Sequence, residues 1–195
     1  MNLMTILAVA AVLLVLWLVG VYNKFKTTET RIGASLQEIG NQLKRQAELI
    51  PNLVASVKGY MKHEQKALDK ITDARKSILS ALKAGGAQNL VNAADKLQSA
   101  MGGIQAVFES TPELQAAGPT KQLMDEVRDT ADKVMYSRRT LIDLTADYNV
   151  MIVTVPTNMV AQMFKFAAKP GLKTAATGAH VEVSAGEVKT PKVEL

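Results

Sequence analysis

The chain has 195 residues, of which 48% are hydrophobic and only 5% aromatic, and its formal net charge is +5. An abundance of Ala, Leu, Val, Gln and Lys with few aromatic residues favours helices over a β-sandwich. The absence of cysteine excludes disulfides, thiolate metal sites and cysteine nucleophiles.

A charge-free apolar stretch opens the chain over residues 3–22. Its length of about 20 residues matches the hydrocarbon core of a bilayer. No basic residue precedes it and no small-x-small cleavage motif follows it, so it differs from a secretory signal peptide. We therefore predict an uncleaved transmembrane anchor over residues 1–23, which contacts the lipid bilayer through residues 3–22.

The charges that flank the anchor predict its orientation. Lys24, Lys26 and Arg31 follow the stretch directly, whereas only the α-amino group lies on the other side. Because positively charged flanks stay on the cytoplasmic side, the bulk of the chain is expected in the cytoplasm.

The next element has a proline in the middle of a helical pattern. Apolar residues recur at steps of three and four on both sides of Pro51, and Leu53 and Val57 stand where the earlier residues of the pattern place them. The pattern forms two apolar seams, one that includes Ile32, Ile39 and Leu53 and one that includes Leu43, Val57, Ile71 and Ile78. The pattern therefore predicts one long helix over residues 28–83, kinked rather than ended at Pro51. Gly59 is expected to provide a second position at which this helix can bend.

Three further helices follow in the pattern. Ala84-Gly85-Gly86 ends the long helix through Pro51. The apolar periodicity resumes over residues 90–108, where the next helix is expected. Pro112 and Pro119 bound a predicted loop, after which a third long helix is expected over residues 120–153. Pro156 then begins a short, almost wholly apolar helix over residues 157–168.

The predicted fold class is all-α. A transmembrane helix is followed by an elongated antiparallel bundle of long helices over residues 24–169, which includes the short C-terminal helix, and by a tail over residues 170–195. Residues 179–184 of the tail alternate apolar and polar as a strand would. The tail is therefore expected to be either flexible or formed of short β segments ordered by oligomerisation.

Several motifs, taken in order, closely resemble the LemA family. They are GVYN (20–23), QLKR (42–45), LIPNLV (49–54), VKGY (57–60), HE (63–64), TPEL (111–114), YSRR (136–139), DYN (147–149), VPTN (155–158) and FKF (164–166). The motif residues expected to matter for the fold are Pro51, Asn52, Gly59, Tyr60, Tyr148, Asn149 and Pro156. Tyr60, Tyr148 and Asn149 are expected to be core residues with a polar group rather than binding groups. The resemblance implies a chiefly bacterial protein of the plasma membrane with one N-terminal anchor and an elongated helical cytoplasmic domain.

The sequence departs from the family pattern at a few positions. Leu36 and Gln46 stand where the family usually has Trp and Arg, and Leu141-Ile142 replaces a common Tyr-Asn pair. These changes affect interactions that would depend on the missing groups, but not the predicted fold.

No catalytic constellation is recognisable. His63 and Glu64 begin like a zincin helix, but the second His is absent, and His180 lies far along the chain. No phosphate-binding glycine loop occurs. We predict no catalytic, cofactor or metal site, and a protein that is not an enzyme.

Two groups of side chains are candidates for contacts with lipid or a partner. They are the basic residues Lys44, Arg45, Arg138 and Arg139, and the C-terminal residues Phe164, Lys165, Phe166 and Lys169. The basic residues are expected to be mainly salt-bridged surface charge, and their lack of interleaved aromatics argues against nucleic acid as a partner. The last helix either caps the bundle or lies in the membrane interface, and capping is the favoured interpretation.

Two functions remain open. The first is a self-associating membrane scaffold, because apolar residues beside the main pattern offer more surface than one bundle needs. Those residues are Leu49, Val54, Met61, Leu68 and Leu82. The second, implied by the gene neighbourhoods of the family, is an accessory factor for another membrane protein such as an envelope protease. We expect the protein to form a symmetric homo-oligomer of more than two copies.

Overall fold

The structure, a computed structural model, describes residues 2–61 and 65–173. Within these ranges the chain forms helices and no strand, which confirms the predicted all-α fold. The helices are α1 (Leu3–Val57), α2 (Gln65–Ala84), α3 (Ala87–Ser110), α4 (Pro112–Ala116), α5 (Gly118–Val153) and α6 (Thr157–Met163).

The longest of the described helices is α1, an uninterrupted helix of 55 residues. At 1.5 Å per residue it is about 80 Å long. Its N-terminal part is the apolar stretch, whose most apolar window is not buried by any described residue. Its C-terminal part passes through Pro51, as predicted, and supplies much of the bundle core.

The predicted helix over residues 28–83 is wrong, because the chain reverses between Val57 and Gln65. The Arg75 side chain on α2 reaches the Ala47 carbonyl on α1, with 2.8 Å between Nε and O. In one straight helix these residues would lie about 40 Å apart. The apolar periodicity could not reveal the reversal, since α1 and α2 both face one core and therefore keep the same pattern.

The bundle consists of α1, α2, α3 and α5, with consecutive long helices antiparallel. Gly85 and Gly86 form the α2–α3 turn at φ values of +69° and +86°, which favour glycine. Further along this hairpin α2 and α3 lie so close that a Cβ on Gly103 would stand 3.0 Å from the Ala67 Cβ. The buried core runs between the helices through residues such as Ile39, Leu43, Ile50, Leu53, Ile71, Ile78, Leu97, Ile104, Val127 and Leu141.

The longest helix pairing is that of α5 with α1. Arg45 faces Glu126 within the four-helix bundle, and Phe25 faces Tyr148 close to the apolar stretch. The two helices therefore run antiparallel in nearly constant register beyond the end of the four-helix bundle. We call this two-helix part, α1 residues 23–37 with α5 residues 136–153, the stalk.

Two element boundaries differ from the prediction. The predicted loop between Pro112 and Pro119 contains α4, whose Leu114 is buried in the core. The last helix ends at Met163 because Lys165 adopts a φ of 57° and the Phe166 amide returns to the Ala161 carbonyl at 2.8 Å. This is a Schellman-type turn with lysine at the position that glycine usually fills.

Some predictions fall on residues outside the described ranges. They concern His63, Glu64, His180, the alternating segment 179–184 and the tail beyond Lys173.

Candidate functional site

Aromatic side chains gather where the apolar stretch meets the stalk. Phe25 is fully buried, stacks on Phe166 with 4.6 Å between ring centroids, and meets Tyr148 edge to face at 5.5 Å. Tyr22 lies 4.8 Å from Phe164 and 5.7 Å from Phe166. We call these five residues the aromatic cluster. It joins α1, α5 and the segment after α6 at one level of the molecule.

A strap of residues 164–173 leads from this cluster back to the four-helix bundle. The Asn149 side chain fixes its middle by a pair of hydrogen bonds: Nδ2 donates to the Lys169 carbonyl and Oδ1 accepts from the Lys169 amide, both at 2.8 Å. The Lys173 amide then donates to Gln88 Oε1 at 2.8 Å, near the start of α3. Leu172 packs against the bundle core.

Charged side chains lie beside the aromatic cluster. The Glu29 carboxylate accepts hydrogen bonds from Lys169 Nζ at 2.5 Å and Lys26 Nζ at 3.2 Å. The bond from Lys169, followed by that from Lys26, holds the pKa of Glu29 below its usual value. We call these three residues the charged clamp. It ties the strap to α1 across about 140 residues of chain.

The clamp also affects its neighbours. The hydrogen bond to Glu29 raises the pKa of Lys26, and burial raises the pKa of the Tyr148 phenol. The Lys169 ammonium lies 5.5 Å from the Tyr148 ring centroid, and that of Lys26 lies 5.4 Å from the Phe166 ring. Both lysines therefore serve the packing of this junction as well as its charge balance.

The basic candidates from the sequence divide into two kinds. Arg45 pairs with Glu126 and so joins α1 to α5, while Arg138 pairs with Asp95 at 2.7 Å and joins α5 to α3. Lys44 and Arg139 are exposed on the surface. One member of each basic pair thus connects helices of the bundle.

The C-terminal candidates come together at the aromatic cluster. Phe166 and Lys169 are partly buried there, whereas Phe164 and Lys165 remain exposed. Val160 and Ala161 of α6 are buried, and Ala161 belongs to the small core around Phe25 in the stalk, whereas Met159 and Met163 of the same helix are exposed.

The motif residues take different positions. Tyr148 is buried and Asn149 holds the strap, but Tyr60, expected in the core, is exposed beside Gly59 in the turn after α1. Asn52 is exposed on α1, and Pro156 precedes the first residue of α6. The expectation for Tyr60 fails because the helix that would have buried it ends at Val57.

The carbonyl that Pro51 leaves without a helical donor has a specific partner, which the sequence did not reveal. A proline lacks the amide that would bond the carbonyl four residues earlier, which here is that of Ala47. Arg75 of α2 donates to this carbonyl. The proline therefore creates an acceptor on α1 that α2 uses when it folds back.

A groove of about 390 Å³ lies between α3 and α5. Ala94, Leu97, Met101 and Ala131 contribute to its lining, and the Arg138–Asp95 pair is at its edge. Within the described residues no three His, Asp or Glu side chains are grouped to hold a metal ion.

Sequence reasoning did not single out Phe25, Glu29 or Arg75. Phe25 could have been found, because it stands seven residues before Ile32 on the same apolar seam. Glu29 and Arg75 carry no such signal, since an ion pair or a side-chain bond to a distant carbonyl leaves no periodicity.

Comparison with known proteins places these features in a family. No curated protein matches the chain. Residues 35–185 match the LemA family, a range that covers the bundle, most of the stalk, α6 and the strap. The chain therefore belongs to the LemA family.

Proposed function

We propose that this protein is a single-pass membrane protein whose helical domain is a rigid scaffold that self-associates. The observation that carries the proposal is the continuity of α1, which contains both the apolar stretch and a core helix of the bundle. If residues 3–22 cross the bilayer, the rest of α1 extends about 50 Å from it. No loop intervenes about which the domain could pivot.

The exposure of the apolar stretch supports its assignment as an anchor. It is the one described helix segment long and apolar enough to cross a bilayer, and none of its most apolar window is buried. The core helix of a soluble protein would instead be covered by its neighbours. An apolar surface of this size is costly in water and stable in lipid.

Flanking charge supports the orientation. Lys24 and Arg31 are exposed, and Lys26 is held by Glu29. The proposed location is the bacterial plasma membrane with the bulk of the chain in the cytoplasm. Alkaline phosphatase fused after Leu195 should then be inactive, and strong phosphatase activity would overturn the orientation.

The surface proposed for self-association differs from the one expected from sequence. Met61 and Leu68 are buried and Leu49, Val54 and Leu82 pack against the core, so a single chain already uses them. The exposed apolar residues that remain on α5 include Met135, Ile142 and Val150. Their spacing of seven and eight residues places them on one side of the stalk helix.

A second copy is the occupant proposed for this side of α5. Copies anchored in one membrane present this side of α5 at the same distance from the bilayer and in the same orientation. This shared orientation lowers the entropic cost of association and permits a symmetric contact between identical surfaces.

The mass of the full-length protein in detergent tests self-association. Ile142→Glu should reduce the oligomer to monomer, whereas Leu79→Glu on α2 should leave it unchanged. The two side chains are a matched pair, since they are 43% and 44% exposed. A monomeric wild-type protein at micromolar concentration would refute the scaffold proposal.

The groove between α3 and α5 favours a second candidate function, that of an accessory factor for another membrane protein. Its apolar floor of Leu97 and Met101 could receive a helix of the partner. In that case a stoichiometric membrane enzyme should co-purify with the protein in detergent and be lost with Ala131→Trp, which fills the groove. Recovery of the protein alone favours the scaffold.

A further inference from the structure

The corner between α5 and α6 carries an exposed apolar surface. Its members are Val153, Val155, Met159, Met163 and Phe164, which we call the apolar rim. No charged residue occurs between Asp147 and Lys165. A contiguous exposed apolar surface of this kind marks a site of contact with a membrane or another protein.

The position of the rim relative to α1 identifies that neighbour. Phe164 lies 4.8 Å from Tyr22, the last residue of the apolar stretch. Val21 and Ile152 pack against the same small core around Phe25. The rim therefore lies beside the final turn of the stretch, at the height where a spanning helix leaves the hydrocarbon.

Charge at this height fits a membrane surface. Lys24 and Lys165 are exposed around the rim. Lys26 and Lys169 are paired with Glu29, so they are not required for the contact. Exposed lysines beside an apolar patch are suited to anionic headgroups.

We infer that the apolar rim inserts into the boundary between headgroups and acyl chains, in the leaflet from which α1 emerges. The inference rests on the proposed function, namely that residues 3–22 span the bilayer. Lipid is favoured over a protein partner because the rim adjoins the surface of α1 that lipid would already cover. A single spanning helix leaves the tilt and rotation of the protein relative to the membrane free. Contact at a second point beside α1 fixes both.

Single cysteines allow a direct test, because the natural chain contains none. Val155→Cys and Met163→Cys place an environment-sensitive fluorophore on the rim, and Leu79→Cys on α2, outside the proposed self-association surface, is the control. Met163 and Leu79 are 56% and 44% exposed, and Val155 is 78% exposed. The neighbouring Leu82 of α2 approaches Gly40 of α1, which lies about 27 Å along α1 from Tyr22. Leu13→Cys reports on the span.

Each full-length variant is reconstituted in vesicles of phosphatidylcholine and phosphatidylglycerol, without nitroxide lipids, with lipids that carry a nitroxide near the headgroup, or with lipids that carry it deep in the acyl chains. Circular dichroism confirms that each labelled chain is folded. Insertion of about 5–10 Å should give roughly a twofold or greater loss of fluorescence at both rim positions. The signal from Leu79→Cys should hardly change.

Three outcomes would overturn the inference in distinguishable ways. Quenching at Leu13→Cys by a nitroxide deep in the acyl chains, without quenching at the rim, would leave the anchor intact and remove the rim contact. A blue-shifted but unquenched rim label would mean that another copy covers it. An unquenched Leu13→Cys label would refute the spanning segment and the inference together.

Discussion

At the scale of single residues, Pro51 and Arg75 form the most informative pair. Pro51 removes one amide from α1, and Arg75 donates to the Ala47 carbonyl that loses its helical partner. The interaction explains how α1 accommodates a proline in its interior. It also gives the α1–α2 hairpin a polar contact at a defined register.

A double-mutant cycle tests this pair. Arg75→Ala should lower the free energy of unfolding by about 1.5 kcal/mol, the low end for a bond from a charged donor because the site is partly exposed. In a Pro51→Ala background the loss should be smaller, since the new amide bonds the Ala47 carbonyl. Chemical denaturation in detergent measures both values, with exposed Arg139→Ala as the control. Strict additivity would contradict the proposed link.

The charged clamp predicts a dependence on pH. Because the pKa of Glu29 is lowered from 4.5 in the folded protein, its contribution is present above pH 4.5 and is lost as pH falls through the lowered pKa. Glu29→Gln should destabilise the protein at neutral pH by less than about 1 kcal/mol, since the carboxylate is partly exposed.

The test of the clamp is the difference in unfolding free energy between wild type and Glu29→Gln as a function of pH. This difference should shrink towards zero on acidification below pH 4.5. A difference that stays constant into the acid range would show that the substitution acts through packing rather than charge.

At the scale of elements, the strap and α6 are organised by a few polar contacts. The turn at Lys165 directs Phe166 into the aromatic cluster, and Asn149 then holds the backbone at Lys169. A segment without regular secondary structure depends on such contacts, because its backbone groups have no ladder partners.

Asn149→Ala should therefore release the strap. The loss of two hydrogen bonds, each with a net value of about 0.5–1.5 kcal/mol, should increase amide exchange over residues 164–173 while the bundle stays protected. Asn52→Ala, an exposed position on α1, is the control. Unchanged exchange in the strap would show that the aromatic cluster alone is sufficient to hold it.

At the scale of the whole molecule, the span and the bundle share a helix but not a core. The main core begins near Ile32 and Ile39, well after the apolar stretch. Phe25, Tyr148, Met151 and Ala161 form a separate small core at the stalk. The bundle should therefore be stable without residues 1–22.

Deletion of residues 1–22 tests this separation. The shortened chain should be soluble and largely helical by circular dichroism, and it should unfold cooperatively, because the bundle core is complete. The stalk should show the higher amide exchange, since Val21 and Tyr22 are missing from its core. A random-coil spectrum would contradict the description of the bundle as an independent unit.

The sequence alone determined the all-α class, the apolar stretch, the helical path through Pro51, the glycine turn after Ala84 and the family. These features depend on local composition, helical periodicity and short motifs, which can be read without knowing what each element packs against. Ile39, Leu43, Ile71 and Ile78 were placed on the buried seams for the same reason.

Only the tertiary structure decided where the chain reverses and which distant residues meet. A single apolar seam is compatible with a continuous rod and with a hairpin around one core, and the hairpin buries that seam against itself. The pairing of Arg75 with the Ala47 carbonyl, and that of Glu29 with Lys169, depends on register between separate segments. Polar contacts of this kind have no sequence period, so they become visible only when the helices are packed.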